Sequence, residues 1–216
     1  DINDFMNNPP TSDDSEVAQF LAALLNFPKP LIAAVKGNAV GVGTTMLLHC
    51  DVVIAAPTAN FSASNVSGCA PLLVNFTDLS SNAPTNWRWT LGNGTNSISQ
   101  NPSVVYFDPG TYTVKLVARN ANGSDSITRV AFITVYAKPT VDFSGSNLIG
   151  CAQRLTTTFT DLSLPGSGTI SSRQWDFGDG TFSSFQSPTH SYNSTGNFNV
   201  SLMVKNSFGC QNSLTR

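Results

Sequence analysis

Trp175-Asp176-Phe177-Gly178-Asp179-Gly180-Thr181 occurs in this chain twice, its earlier edition being Trp89-Thr90-Leu91-Gly92-Asn93-Gly94-Thr95. The recurrence makes most of the sequence a tandem repeat. The stretch reads as a strand running into a tight hairpin, because Asp-Gly and Asn-Gly offer the two positive-φ positions that a two-residue primed turn requires. Its neighbours recur with it. Pro102, Tyr106, Gly110, Asn120 and Gly123 reappear as Pro188, Tyr192, Gly196, Asn206 and Gly209 at one constant offset. Upstream, Phe61, Cys69 and Phe76-Thr77-Asp78-Leu79-Ser80 match Phe143, Cys151 and Phe159-Thr160-Asp161-Leu162-Ser163, with a small length change between them.

From Thr58 onward the apolar period is two. Phe61–Ala63, Leu72–Leu79, Asn86–Leu91, Ser103–Phe107, Thr111–Asn120 and Ser126–Tyr136 read as successive strands, and the order repeats from Thr140. About seven short strands in roughly 80 residues indicate an antiparallel sandwich. Tyr112, Val114, Leu116 and Ala118 alternate with polar neighbours, as do Phe198, Val200, Leu202 and Val204, so one face of each strand should meet the opposite sheet. Trp89 and Trp175, with Tyr106 and Tyr192, are expected in the cores; burying each tryptophan contributes roughly 2 to 3 kcal/mol by area. The expected domains are therefore residues 58–137 and 138–216. The counterpart of the strand end Val130–Tyr136 falls past Arg216, so the second sandwich is expected to lack most of an edge strand.

Residues 1–57 have a different grammar. Asp13 and Glu16 form a capping pattern ahead of Val17, Phe20, Leu21, Leu24 and Leu25, which predicts an amphipathic helix from Asp14 to about Asn26, stopped by Pro28 and Pro30. Leu31–Val35 is a short buried strand, Gly37–Gly43 a glycine-punctuated turn, Thr44–Cys50 a helix and Val52–Ala55 a second strand. Together they make a βαβ signature. The fold expected overall is mainly β, two tandem sandwiches after a short α/β segment.

The formal charge of -2 over 216 residues, with 11% of residues charged, favours neither nucleic acid nor an acidic membrane as partner. No apolar run approaches the ~20 residues of a membrane span. Cys151 and Cys210 bracket the second repeat, and the early loop and last hairpin of such a sandwich are expected at one end, so a Cys151–Cys210 disulfide is predicted, with the oxidising compartment it implies. Cys69 is then left without an internal partner, since Ser124 stands where Cys210 falls. Cys50 reads as a buried, inert thiol, and no spacing suggests a zinc site. His190 and His49 read as packing residues rather than general bases. Asn75–Thr77 and Asn193–Thr195 carry the N-x-S/T pattern of a glycan acceptor, which chance also produces in a chain rich in these residues.

The second repeat, with Trp175–Gly180, then Pro188, His190 and Tyr192, then Gly196, Phe198, Val200 and Leu202, resembles the polycystic kidney disease (PKD) domain family. The first is more divergent, with Thr90 and Asn93 replacing both aspartates and Val104 replacing the histidine. The resemblance covers about residues 58–216. It implies two tandem immunoglobulin-like sandwiches that serve as a non-catalytic spacer or binding module of a secreted or cell-surface protein, with protein or carbohydrate as partner. It also raises calcium at Asp176 and Asp179, as some such domains bind it; against this, Asp179 can serve the turn and Asp176 the nearby backbone.

Residues 30–54 resemble the crotonase (enoyl-CoA hydratase/isomerase) family through Pro30-Leu31-Ile32-Ala33-Ala34-Val35, Gly37 to Gly43, and Cys50, Asp51 and Ile54. That resemblance would make Gly41, Val42 and Gly43 an oxyanion-hole turn, Val42 presenting a backbone amide to a coenzyme A thioester oxygen in a cytoplasmic enzyme. Thr45 stands where hydratases carry one catalytic glutamate. The implied activity is an acyl-CoA hydratase or isomerase half-site, inactive alone. The two resemblances meet in Ala55-Ala56-Pro57-Thr58-Ala59 with no Pro/Ser/Gly-rich linker, which reads as a chimeric join.

Overall fold

The computed structural model describes residues 52–150 and 155–216, with Gln19 and Ile32–Val35. Gln19 is helical; otherwise the expected helices Asp14–Asn26 and Thr44–Cys50, the Gly41–Gly43 turn, Thr45, His49, Cys50 and Cys151 lie outside the described residues. Strands β1 (Ile32–Val35) and β2 (Val52–Ala55) pair in parallel, from Ile32 opposite Val52 to Val35 opposite Ala55. This is the geometry that short apolar runs on either side of a crossover adopt.

Among the described residues that follow, all regular structure is β. The first repeat contributes β3 (Phe61–Ala63), β4 (Ser67–Cys69), β5 (Leu72–Asp78), β6 (Asn86–Thr90), β7 (Asn96–Ser97), β8 (Ser103–Tyr106), β9 (Gly110–Asn120) and β10 (Gly123–Tyr136). They form one sheet ordered β4-β10-β9-β6-β7 and another ordered β3-β5-β8. The second repeat contributes β11 (Phe143–Gly145), β12 (Leu155–Asp161), β13 (Ile170–Asp176), β14 (Phe182–Ser183), β15 (Thr189–Tyr192), β16 (Ser201–Asn206) and β17 (Gln211–Thr215). Its sheets run β11-β12-β15 and β14-β13-β16-β17. Registers repeat with the sequence: Leu72 faces Tyr106 as Leu155 faces Tyr192, and Trp89 faces Ser97 as Trp175 faces Ser183.

Alternation sorts side chains between the two faces of each sheet. Val114, Leu116 and Ala118 of β9, and Leu202 and Val204 of β16, are fully buried while their neighbours face outward. Trp89 and Trp175 are fully buried; Phe76 meets Trp89 and Phe159 meets Trp175 at the same centroid distance of 5.5 Å across the sheets. Each indole N–H donates 2.9 Å to the backbone, Trp89 to the Ser99 carbonyl and Trp175 to that of Phe185. The core ring is large, and its one polar atom is satisfied.

The chain divides into two compact units, Asp1–Phe61 with Asp78–Arg88 and Leu116–Ile127, and Ser62–Thr77 with Trp89–Lys115 and Thr128–Arg216. Within the first, Asn120 donates 2.9 Å to the carbonyls of both Ala55 and Asn82, and accepts the Asn122 N–H at 2.8 Å. Ala55 therefore belongs to both halves of the ambiguous stretch: its backbone closes β2 beside Val35, and its carbonyl is taken by the sandwich. Within the second unit Asn206 repeats the device. It is 1% exposed, donates to the carbonyls of Ala137 (3.0 Å) and Pro165 (3.1 Å), and accepts from Phe208 and Cys210. One asparagine per repeat thus ties down the chain where it enters the sandwich.

Candidate functional site

The hairpin that defines the repeat differs from the two-residue turn expected. Positive φ falls on Gly92 and Gly94 (86° each) and on Gly178 (77°) and Gly180 (89°), while Asn93 and Asp179 keep ordinary backbone. The bonds from Leu91 N–H to the Thr95 carbonyl and from Phe177 N–H to the Thr181 carbonyl, 3.1 Å each, close three-residue loops. The two glycines differ in their surroundings: a Cβ on Gly178 would stand 2.6 Å from the Asn199 carbonyl oxygen, whereas around Gly180 there is open space. Gly180→Ala is therefore expected to cost about 1 kcal/mol, the left-handed penalty alone. Gly178→Ala should cost at least twice that by urea denaturation, because a backbone oxygen must also move.

Asp179 serves this loop. Its Oδ1 accepts from Thr181 N–H (3.1 Å) and Thr181 Oγ1–H (2.6 Å), and its Oδ2 lies 2.7 Å from His190 Nε2. Burial would raise the Asp179 pKa; the bonds from Thr181 and His190 outweigh it and hold the carboxyl below its ordinary value. His190 stacks on Phe177 at 4.2 Å and meets Tyr192 edge-on at 4.6 Å, so its ring is packed between aromatic neighbours while Nε2 reaches Asp179 Oδ2 and, at 3.5 Å, Thr181 Oγ1. Asp176 Oδ1 accepts from Gly178 N–H at 2.9 Å. Both carboxylates raised as calcium ligands are thus engaged by the turn, and no group of three or more His, Cys, Asp or Glu able to hold a metal occurs among the described residues. The Tyr106 and Tyr192 hydroxyls donate to the Leu91 and Phe177 carbonyls at the hairpin base, and burial raises both phenols to about 12.

A second carboxylate site was not legible from spacing. Asp161, whose side chain is 2% exposed, pairs with Arg173 Nε at 2.5 Å; in the first repeat the same place holds Asp78, bonded by Trp87 Nε1 at 2.7 Å. Burial raises the Asp161 pKa, but bonds from Ser163 and Arg173 more than compensate and leave it lowered. A depressed carboxyl contributes stability fully above its unfolded pKa, about 3.9, and loses it as pH falls through the folded value. Arg173→Met, which strands that buried charge, is expected to cost about 3 kcal/mol at neutral pH. The deficit should shrink on acidification, when Asp161 protonates.

The disulfide joins Cys69 to Cys210, with Cα atoms 5.5 Å apart, and corrects the predicted Cys151–Cys210 pairing. Cys69 pairs with Tyr136, where β10 leaves the first repeat, whereas Cys210 sits beside Asn206, which holds Ala137, where the chain enters the second. Exit and entry are consecutive residues, so the two cysteines meet there. Around them Tyr136 stacks on Phe208 at 4.0 Å and 9°, and Asn212 donates to the Pro139 carbonyl at 3.0 Å. All these residues belong to one compact unit.

The second repeat also contains an open cavity of about 530 Å³, lined among others by Phe143, Leu148, Leu155, Thr157, Phe159 and Val200. No pattern in the sequence marks it, because its walls are ordinary core positions. The Gly41–Gly43 turn, as noted, lies outside the described residues.

The PKD domain family model matches residues 54–135 and 136–216, and the enoyl-CoA hydratase/isomerase model matches residues 1–73, overlapping the first PKD match across the ambiguous stretch. Among curated relatives, 2,3-dehydroadipyl-CoA hydratase of Escherichia coli (strain K12) is 47% identical over 49 residues, 23% of this chain and 19% of that protein. The chain spans about a fifth of the length of the curated relatives it matches. Among solved structures, the PKD1 domain of Vibrio anguillarum Epp is 31% identical, covering 38% of this chain and 90% of that one with a TM-score of 0.34. The PKD1 domain of the Vibrio cholerae metalloprotease PrtV is 28% identical, covering 37% and 91% with a TM-score of 0.33. Two consecutive family matches spanning three quarters of the sequence assign it: the chain belongs to the PKD domain family.

Proposed function

We propose that residues 54–216 are a non-catalytic tandem module of a secreted or cell-surface protein, a spacer that holds its neighbours apart and presents its faces to protein or carbohydrate. The observation that carries this reading is the junction: a disulfide, a stacked aromatic pair and a buried asparagine all fasten the point where one repeat passes to the next. A covalent tie there suits a part that must resist bending, and a structural disulfide suits an oxidising compartment. Distance distributions between labels on the two repeats test it. A narrow distribution that broadens on reduction is expected, and a broad one in the oxidised chain rejects the spacer. Glycan and protein arrays probed with the chain separate a pure spacer from a binding module.

A second reading has its own support, the enoyl-CoA hydratase/isomerase match to residues 1–73. It takes the N-terminal segment as an acyl-CoA half-site completed by another chain. Acyl-CoA affinity that disappears when Gly41 and Gly43 become bulky would favour it, and no affinity in the unaltered chain rejects it.

A further inference from the structure

The loop at the tip of the first hairpin holds an asparagine followed by a glycine, Asn93-Gly94, where the second holds Asp179-Gly180. Asn93 Oδ1 accepts from Thr95 N–H at 3.2 Å and from Thr95 Oγ1–H at 2.6 Å. Those two bonds fold the side-chain amide back over the peptide that joins Asn93 to Gly94, as in an Asx-turn. Gly94 brings no side chain against it, a Cβ there would have nothing within 4 Å, and no described residue accepts from the Gly94 N–H. All of these residues lie in one compact unit.

The arrangement has the parts of a slow acyl transfer within the chain. Loss of the Gly94 amide proton to hydroxide lets its nitrogen bond to Asn93 Cγ; the Cγ–Nδ2 bond then breaks, the nitrogen takes a proton from water and leaves as ammonia, and a succinimide ring remains. Negative charge gathers on Oδ1 in the tetrahedral intermediate, where both Thr95 donors already point. Water then opens the ring at either carbonyl, giving aspartate or isoaspartate. The second repeat shows that the aspartate fits: Asp179 holds Thr181 through the same two bonds, at 3.1 and 2.6 Å. The other Asn-Gly pair of the chain, Asn122-Gly123, is placed differently. There Nδ2, the leaving group, donates to the Ala55 carbonyl at 3.4 Å, no described donor reaches Oδ1, and a Cβ on Gly123 would stand 3.1 Å from that of Ala56.

We propose that Asn93 is a self-modification site of the first repeat, converting without an enzyme to aspartate and isoaspartate with the two Thr95 donors as its oxyanion hole. The fold speeds this change rather than guarding against it. Each event adds a negative charge to the tip of the first hairpin and is not reversed by water. The aspartate product brings that tip to the pattern that Asp179 gives the second hairpin. The proposal goes beyond the spacer reading and stands without it.

Peptide mapping by mass spectrometry of the whole chain, aged in oxygen-18 water at mildly alkaline pH, tests it. In the folded chain Asn93 is expected to take up label about tenfold faster than Asn122, the ratio that two neutral hydrogen bonds to the intermediate support. Asn93 should also convert no more slowly there than in the same chain unfolded in urea. Thr95→Val keeps the shape of the side chain and removes the hydroxyl donor; it should slow Asn93 about fivefold and leave Asn122 unchanged. Thr95→Ser, which restores the hydroxyl, should recover the rate, and circular dichroism checks the fold of both variants. An Asn93 that stays intact, that converts faster on unfolding, or that converts as fast in folded Thr95→Val overturns the proposal. If Thr95→Val does not fold, the comparison of folded with urea-unfolded chain decides it alone.

Discussion

Cys210→Ser is expected to lower the unfolding free energy by up to about 5 kcal/mol, the chain-entropy value for releasing a loop of this length. The two cysteines are 141 residues apart, a far longer closure than the second repeat alone would give. Since the loop runs from the first repeat into the second, the loss should show itself as uncoupling, with one cooperative transition becoming two. Cys69→Ser and mild reduction should reproduce the effect, while Cys151→Ser should leave it untouched. Peptide mapping without reductant checks the pairing directly: a Cys69–Cys210 peptide is expected, and a Cys151–Cys210 peptide contradicts the geometry.

Trp175→Ala is expected to cost about 4 kcal/mol, within the range for removing a large buried ring. The indole stands edge-on to Phe143 at 5.2 Å and 78°, leans on Phe159, and bonds to the Phe185 carbonyl. Its loss opens a cavity in a core of eight buried residues, and few of the survivors can close it. Trp175→Phe separates the contributions: most of the apolar area stays, the Phe185 carbonyl loses its donor, and the cost should fall to about 1 to 2 kcal/mol. Urea denaturation of both variants measures the difference. A wild-type midpoint for Trp175→Ala would mean that the second sandwich does not depend on its central ring.

Strand positions were legible because alternation is a local signal with a period of two: Phe61–Ala63 was read as it stands, and Leu72–Leu79 and Thr111–Asn120 fall within one residue of the strands Leu72–Asp78 and Gly110–Asn120. The two-residue pairings β7 and β14, and β4, carry too few side chains to show a period. The hairpin was legible as a turn but not as its type. Asp-Gly suits a primed two-residue turn in isolation, whereas the positive φ falls on the glycines on both sides of Asp179, and only the fold shows that the Asn199 carbonyl leaves no room for a Cβ at Gly178.

The ion pair of Asp161 with Arg173 escaped sequence reasoning for a related reason. Its counterparts are Asp78 and Trp87, so the repeat preserves the acceptor while exchanging a charged donor for a neutral one. The repeat itself, the β class, the buried tryptophans and the two family resemblances were set by the order of residues alone, because each rests on local period or motif. Which cysteines pair and which groups hold Asp179 were decided by the tertiary structure. Those depend on which strand ends meet in space, and a sandwich brings together the exit of one repeat and the last hairpin of the next, residues that no local pattern connects.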